Sequence, residues 1–438
     1  MQQTRETNID FTIPPSGNSE PEWLSKRRNA AREAFNSSDL PRRGLHLWRY
    51  TDPGQFLISR KQIAIKQEST KTDADNYLAK LERGEIAGLA IDHAGEEIIC
   101  YSPAPLTEQS VLLCSLSEAI TEHADLVSKY LYELVDEKSG KFEAMNSALF
   151  SGGIFIHVPD KTSVELPIHL IRQTGQATFP RLLVVVGRDS EITIIDEYKS
   201  ANESNGNSPA YSNGVVEIFG EENSRTRYIN IQQSNSNTIS YLTHRARLAK
   251  SASMMTMPIA VGSSLSKQNF GVILSGRGAD SRMHGLLFGG DRQHFDNHTL
   301  HHHASSGTYS NINMKVALRD KARSAYTGLI RIDADAADCE AFQENRNLLL
   351  TKGARAEAIP ELEILNEDVS CSHGATVGPI DEMEIFYLKS RGIPDREAVR
   401  MIVRGFFSET IEMLPPVLVE LTSDLIAARL EELQACHD

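Results

Sequence analysis

Cysteine is scarce. The 438 residues contain five, Cys100, Cys114, Cys339, Cys371 and Cys436, and no CxxC pair. An odd count without clustering argues against a disulfide framework and for a reducing, cytoplasmic setting. It also excludes a zinc ribbon or ferredoxin-type site built by this chain alone. Basic residues are in deficit, 45 against 59 acidic, and the resulting net charge of −14 repels phosphate backbones, so nucleic acid is not the expected partner. No apolar run approaches the roughly 20 residues that span a bilayer, so no membrane is expected. Met1 to Glu20 is polar, lacks the apolar core of a secretion signal, and reads as a disordered lead-in over 1–20. The chain has no GxxxxGK[ST] loop, no GxGxxG after a strand, no HExxH and no GxSxG elbow. These absences speak against ATP hydrolysis, dinucleotide binding and serine-hydrolase chemistry.

What is present changes character along the chain. Residues 21–150 read as a mixed helical region. An amphipathic helix is expected from Glu20 to Phe35, and helical spacing runs from Ser115 to Phe150 with Ser117 as its cap. Short strands are expected at Phe56–Ile65 and Gly95–Tyr101. From 151 to 378 short β-rich runs follow one another, among them Ile154–Val158, Leu182–Val186, Val215–Phe219 and Leu329–Ile332, separated by Gly, Asn, Ser and Asp. So many strands without intervening helices exclude a doubly wound α/β fold. A Leu, a polar turn and a small residue four positions on recur at Leu248/Ala252, Leu274/Gly278, Leu318/Ala322 and Leu350/Ala354. The pattern predicts a mainly β fold with a parallel β-helix core, in preference to a large sandwich. Residues 379–438 turn helical again, with a break at Pro415-Pro416.

Three groups are candidates for chemistry. Strand alternation puts Cys371 and His373 on one face, where thiolate and imidazole suit iron, copper or zinc, or a nucleophile and its base. A buried cysteine beside a hydrogen-bonded histidine is the plainer reading. The tract His294-Phe-Asp-Asn-His298-Thr-Leu-His301-His302-His303 is the second group. Alternation aims His301 and His303 one way and His302 the other. A tract this rich in histidine could hold a divalent metal, with His298, His301 and His303 as candidates, against a polar strand whose histidines are exposed or bond neighbouring Asp and Asn. Third, Gln343, Asn345 and Asn347 alternate as same-face amides do in a β-helix ladder.

The segments Asn345-Arg-Asn-Leu-Leu-Leu350, Pro360-Glu-Leu-Glu-Ile364, Cys371-Ser-His-Gly-Ala-Thr376 and Ile385-Phe-Tyr-Leu-Lys-Ser-Arg-Gly-Ile393 fall in an order that resembles the SufB/SufD family of iron–sulfur cluster assembly proteins. The helix with Glu397-Ala-Val-Arg-Met-Ile-Val-Arg-Gly-Phe-Phe407 and the element Leu47-Trp-Arg-Tyr-Thr51 add to the resemblance. Cys371-Ser-His-Gly-Ala-Thr, where SufB has Glu-His-Glu-Ala-Thr, leans towards SufD. The resemblance implies a right-handed β-helix with an N-terminal α+β region and C-terminal helices. It implies a non-catalytic scaffold in the SUF machinery that pairs with a SufB-like paralogue at the end of the β-helix and docks a SufC-like ABC ATPase through its C-terminal region, with Phe386, Tyr387, Arg391, Phe406 and Phe407 as contact candidates. No cofactor is expected to be held tightly by the chain alone. A transient Fe–S cluster would form at the partner interface, with His373 and Cys371 as contributed ligands or interface residues. A homodimer is open to the isolated chain. Two rival readings are a stand-alone metal-binding β-helix protein and a polysaccharide-active β-helix enzyme, the latter poorly served by 7% aromatic residues.

Overall fold

The computed structural model describes residues 20–58, 74–94, 97–200 and 210–431. Among them the strands form two sheets, of ten and nine strands; from Ile154–Val158 onward, neighbours within each sheet are alternate strands of the chain, while Gly88–Asp92 with Ile98–Tyr101 and Leu112–Ser115 with Ile154–Val158 pair antiparallel at the N-terminal end. Cys339–Leu349 lies parallel between Tyr309–Leu318 and Val369–Pro379. Arg323–Ile332 and Arg355–Ile364, which intervene in sequence, pair with each other in the facing sheet. The chain thus winds from one sheet to the other and back, as a parallel β-solenoid of about seven turns. The mainly β class and its helical flanks are as the sequence predicts.

The corners explain the repeat. Asp189, Asn223, Ser251, Asp291 and Asp320 all adopt left-handed backbone, which short polar residues tolerate best. Ala252, Ala322 and Ala354 are buried just before the next strand begins, where a stacked turn leaves room for little more than a methyl group. Two repeats are offset by one residue. Gly278 takes the left-handed place and Ala279 the buried one, and Leu318 is in register with Leu349, not Leu350.

Inside the solenoid, facing side chains such as Ile194, Val216, Leu248, Met283 and Leu318 form one continuous core. The outer face of the nine-stranded sheet is covered by the N-terminal region, whose Phe35, Trp48, Phe56 and Phe142 pack on Leu183, Tyr211 and Tyr241. The outer face of the ten-stranded sheet is covered by helices Asp395–Glu412 and Pro416–Glu431, whose Val403, Phe407, Leu418 and Ile426 meet Ile229, Met257, Ile259 and Phe288. A strand buried on both faces reads as an unbroken apolar run, as in Leu182–Val186.

Several local expectations need correction. The helical stretch from 115 to 150 is three helices, Leu116–Glu122, Ala124–Tyr130 and Lys141–Leu149, and the cap is Ser115, which accepts from the Glu118 N–H. The interruption has a cause. The buried Glu217 carboxylate accepts from the N–H groups of Tyr132, Leu134 and Val135 and pairs with Arg181 at 2.7 Å, which draws this segment out of helical geometry. Phe56 ends a 3₁₀ turn, Pro53–Phe56, and the rest of that expected strand lies beyond residue 58, outside the described residues apart from Leu57 and Ile58. The lead-in over residues 1–19 also lies outside them. The later expected strand, which the sequence reading began at Gly95, is Ile98–Tyr101.

Candidate functional site

Cys371 and His373 lie on Val369–Pro379, the terminal strand of the ten-stranded sheet. Cys371 packs with Cys339, Ile330, Ile332 and Leu362, residues of the solenoid interior. Alternation therefore turns His373 inward too, above Gln343, its register partner. Because no further turn follows, the inward face of this strand is an open mouth. His373 is exposed and Cys371 half-buried. Burial raises the Cys371 thiol above its ordinary pKa, with Cys339 adding to the effect, so the isolated chain holds a protonated thiol at neutral pH.

The open edge has a defined hydrogen-bonding pattern. Asp338 donates its N–H to the Asp368 carbonyl at 2.8 Å. Strand groups alternate in direction, so the even-numbered amides of the terminal strand face the preceding one. Those of Cys371, His373, Ala375 and Val377 face out, where no strand among the described residues pairs with them.

Beneath the mouth the core turns polar. The column leading to His373 runs Ile168, Ile194, Tyr228, Thr256, Met283, Ile312, Gln343. Gln343, Asn345 and Asn347 are all buried. Gln343 donates to the Gly328 carbonyl at 3.3 Å, Asn345 to Met314 at 3.3 Å, and Asn347 to the Asn345 side chain at 2.6 Å and the Thr376 carbonyl at 3.0 Å. This corrects the ladder expectation. The amides do not stack on amides from turn to turn, but form a polar layer along one strand, between apolar Ile312, Met314 and Val316 below and the terminal strand above.

The histidine tract does not form one donor set. His301 and His303 point into the solenoid and are fully buried. His303 bonds the hydroxyls of Thr308 at 2.7 Å and Ser310 at 2.8 Å, and His301 meets Ser281 at 3.3 Å. Burial pushes their pKa values down to about 3 for His301 and about 4 for His303. His298 lies on the opposite face of its strand, bonded to Asp296 at 2.7 Å. No group of three or more metal-capable side chains occurs among the described residues. The shared site expected of His298, His301 and His303 is thus divided by the strand itself.

The outward half of that tract anchors the element Leu47–Thr51. Thr51 bonds His294 at 2.9 Å and Asp296 at 2.5 Å, and the buried Lys267 ammonium reaches Asp296 at 2.9 Å and the Leu47 carbonyl at 2.6 Å while lying 4.8 Å from the Trp48 ring. Burial opposes ionisation of Asp296, but His298, Lys267 and Thr51 outweigh it and hold the carboxyl well below its ordinary range. Sequence reading missed Lys267 and Asp296. The only signal was the tryptophan-containing motif, which marks the strap and not its anchor.

The expected ATPase-contact residues separate by exposure. Phe386 is 65% and Tyr387 58% exposed on helix Glu382–Ser390, with the Arg391 guanidinium 5.3 Å from the Tyr387 ring. Phe407 is fully buried against Phe288, and Phe406 is packed beside it. The latter two anchor a helix and are not surface contacts.

The model of the SufBD core domain of SUF-system FeS cluster assembly matches residues 169–406, and that of the SufBD N-terminal region matches 17–170. An iron–sulfur cluster assembly SufBD family protein of Staphylococcus saprophyticus is 27% identical over 413 residues, covering 90% of this chain and 87% of its own. The iron–sulfur cluster assembly protein SufB of Bacillus subtilis is 26% identical over 412 residues, with the same coverage. With the two family models matching consecutive stretches across the N-terminal region and the solenoid, the chain belongs to the SufBD family of SUF-system iron–sulfur cluster assembly proteins.

Proposed function

We propose that this chain is a non-catalytic, SufD-like cytoplasmic scaffold subunit of the SUF machinery, and that its open solenoid end receives a nascent Fe–S cluster as cargo together with a SufB-like chain. The observation that carries the reading is the placement of Cys371 and His373 together on the inward face of an edge strand whose outer amides meet no strand among the described residues. Iron accepts both thiolate and imidazole ligands, and a site completed by a second chain releases its cargo when the chains part. The raised Cys371 pKa fits a thiol that ionises only when iron or a partner cation arrives. Phe386, Tyr387 and Arg391, with Met383 beside them, offer an exposed aromatic and cationic surface suited to a SufC-like ATPase.

The test is cluster loading in the assembled complex. His373→Ala is expected to cut iron and sulfide bound per complex at least about tenfold while leaving chain association intact. Unchanged loading removes His373 from the site. Tyr387→Ala is expected to weaken ATPase capture by about tenfold without changing chain stability, and equal capture sinks the docking assignment.

A further inference from the structure

One corner of the solenoid collects positive charge. It lies where the ten-stranded sheet hands over to the nine-stranded one, and in three successive turns it spans residues 290–293, 319–323 and 350–355. These stretches hold six cations, Arg292, Arg319, Lys321, Arg323, Lys352 and Arg355, against two carboxylates, Asp291 and Asp320, in a chain whose net charge is −14. Arg319 is buried and paired with Asp320 at 3.1 Å. The other five cations are exposed and make no ion pair among the described residues. The register stacks them. Arg292 lies over Lys321, whose N–H donates to the Asp291 carbonyl at 2.8 Å. Lys321 lies over Lys352 and Gly353, and Arg323 over Arg355. Arg292 and Lys321 line an open groove of about 720 Å³ together with Ser236, Ser264, Gln293 and Thr351. Like charges one strand apart repel one another. An anionic partner would relieve that repulsion.

Spacing selects the partner. Consecutive turns are about 4.8 Å apart, so Arg292, Lys321 and Lys352 make a row of about 10 Å. Acidic side chains on one face of an α-helix recur about every 5.4 Å, so two helical turns span about 11 Å, a difference that flexible Arg and Lys side chains absorb. Same-face residues of an extended peptide are about 6.7 Å apart and fall out of step. A phosphate is held by convergent backbone N–H groups, and here those of Asp291, Lys321, Arg323 and Arg355 are engaged within the corners. A second copy of this chain would offer the acidic corner with Asp333, Asp335 and Asp338, but a contact between two unlike surfaces does not close on itself and propagates into filaments. We propose that the basic corner docks an acidic α-helix of another protein, laid along the solenoid axis with Asp or Glu on successive turns opposite Arg292, Lys321 and Lys352. This flank includes neither the strand with Cys371 and His373 nor helix Glu382–Ser390, so the docking stands or falls independently of the scaffold reading.

The experiment titrates the full chain into a fluorescent, alanine-rich peptide of about 16 residues with Glu at i, i+4 and i+7, read by anisotropy at about 0.05 M salt. This helix is expected to bind at least about tenfold tighter than a peptide of equal charge broken by a central proline. Binding should weaken at least about tenfold in R292E/K321E/K352E, and likewise in wild type at about 0.5 M salt. The peptide comparison and the salt series need wild type alone, so the test survives a variant that fails to fold. Absent binding of the helix, equal binding of the two peptides, or unchanged binding to the variant overturns the proposal. So does tripolyphosphate binding tighter than the helix, which would make the corner a phosphate site. Low-salt assemblies formed by wild type but not by the variant would seat a second copy there, and overturn it too.

Discussion

At the scale of single residues, buried charge decides where the chain is brittle. Lys267 and Asp296 are both removed from water, and each supplies an opposite charge to the other. Asp296→Ala leaves the buried Lys267 ammonium without its carboxylate and is expected to cost about 3–5 kcal/mol, whereas Lys267→Met with Asp296→Ala should recover most of the loss. Thermal unfolding of the two variants checks this, and equal destabilisation would show that the pair has no special coupling. His301 and His303 add a pH dependence whose sign is fixed. Their folded pKa values, about 3 and about 4, lie below the ordinary 6.5. Between those limits the unfolded chain binds more protons than the folded one, so stability falls as the medium is acidified below about 6.5, by on the order of a few kcal/mol at pH 4. His303→Gln should flatten that slope in melting temperature measured from pH 7 to pH 4. A parallel slope would mean that His303 takes up its proton without disturbing the fold.

At the scale of elements, the same residue type does opposite work depending on what lies across from it. Phe407→Ala removes a ring from between Phe288 and the neighbouring helix and is expected to destabilise by about 3–5 kcal/mol. Phe386→Ala, on an exposed helix face, should stay within about 0.5 kcal/mol in the same assay. A large stability loss at Phe386 would mean that the face is already covered. Both phenylalanines were contact candidates through the family resemblance, which points to a helical region but not to the surface each side chain meets. Several strands were hidden as well. Thr238–Leu248 and Asp280–Gly289 mix polar residues into the interior, such as His244 and Ser281, so neither alternation nor an apolar run announces them. The C-terminal break at Pro415-Pro416 was legible because proline acts locally. Helix Lys141–Leu149 was blurred into its neighbours because Glu217, a residue far along the chain, interrupts the segment before it.

At the scale of the molecule, a solenoid is held together by contacts between adjacent turns, so its ends are its weakest part. The family resemblance and the β-rich grammar made the architecture legible, and the Cys371/His373 pair was legible as a same-face motif. The register was not, because the turns differ in length, so equivalent positions do not recur at a fixed spacing along the chain. Only the register sets His373 above Gln343 and shows that the mouth is open. That arrangement predicts a gradient in amide exchange. Turns from about 180 to 290 have neighbours on both sides and a covering layer on their outer faces, whereas residues 355–379 have a neighbour on one side only. In hydrogen exchange of the isolated chain, the segment 355–379 should exchange fastest among the solenoid strands. Within the terminal strand, the outward amides of Cys371, His373, Ala375 and Val377 should lead those of Ser370, Ser372, Gly374 and Thr376. Binding of a pairing chain should slow the first set most, because those are the donors its strand would take. Uniform protection along the solenoid, or slowing confined to the covered middle turns, would place the stabilising contacts elsewhere and remove the open end as the surface at which a second chain is received.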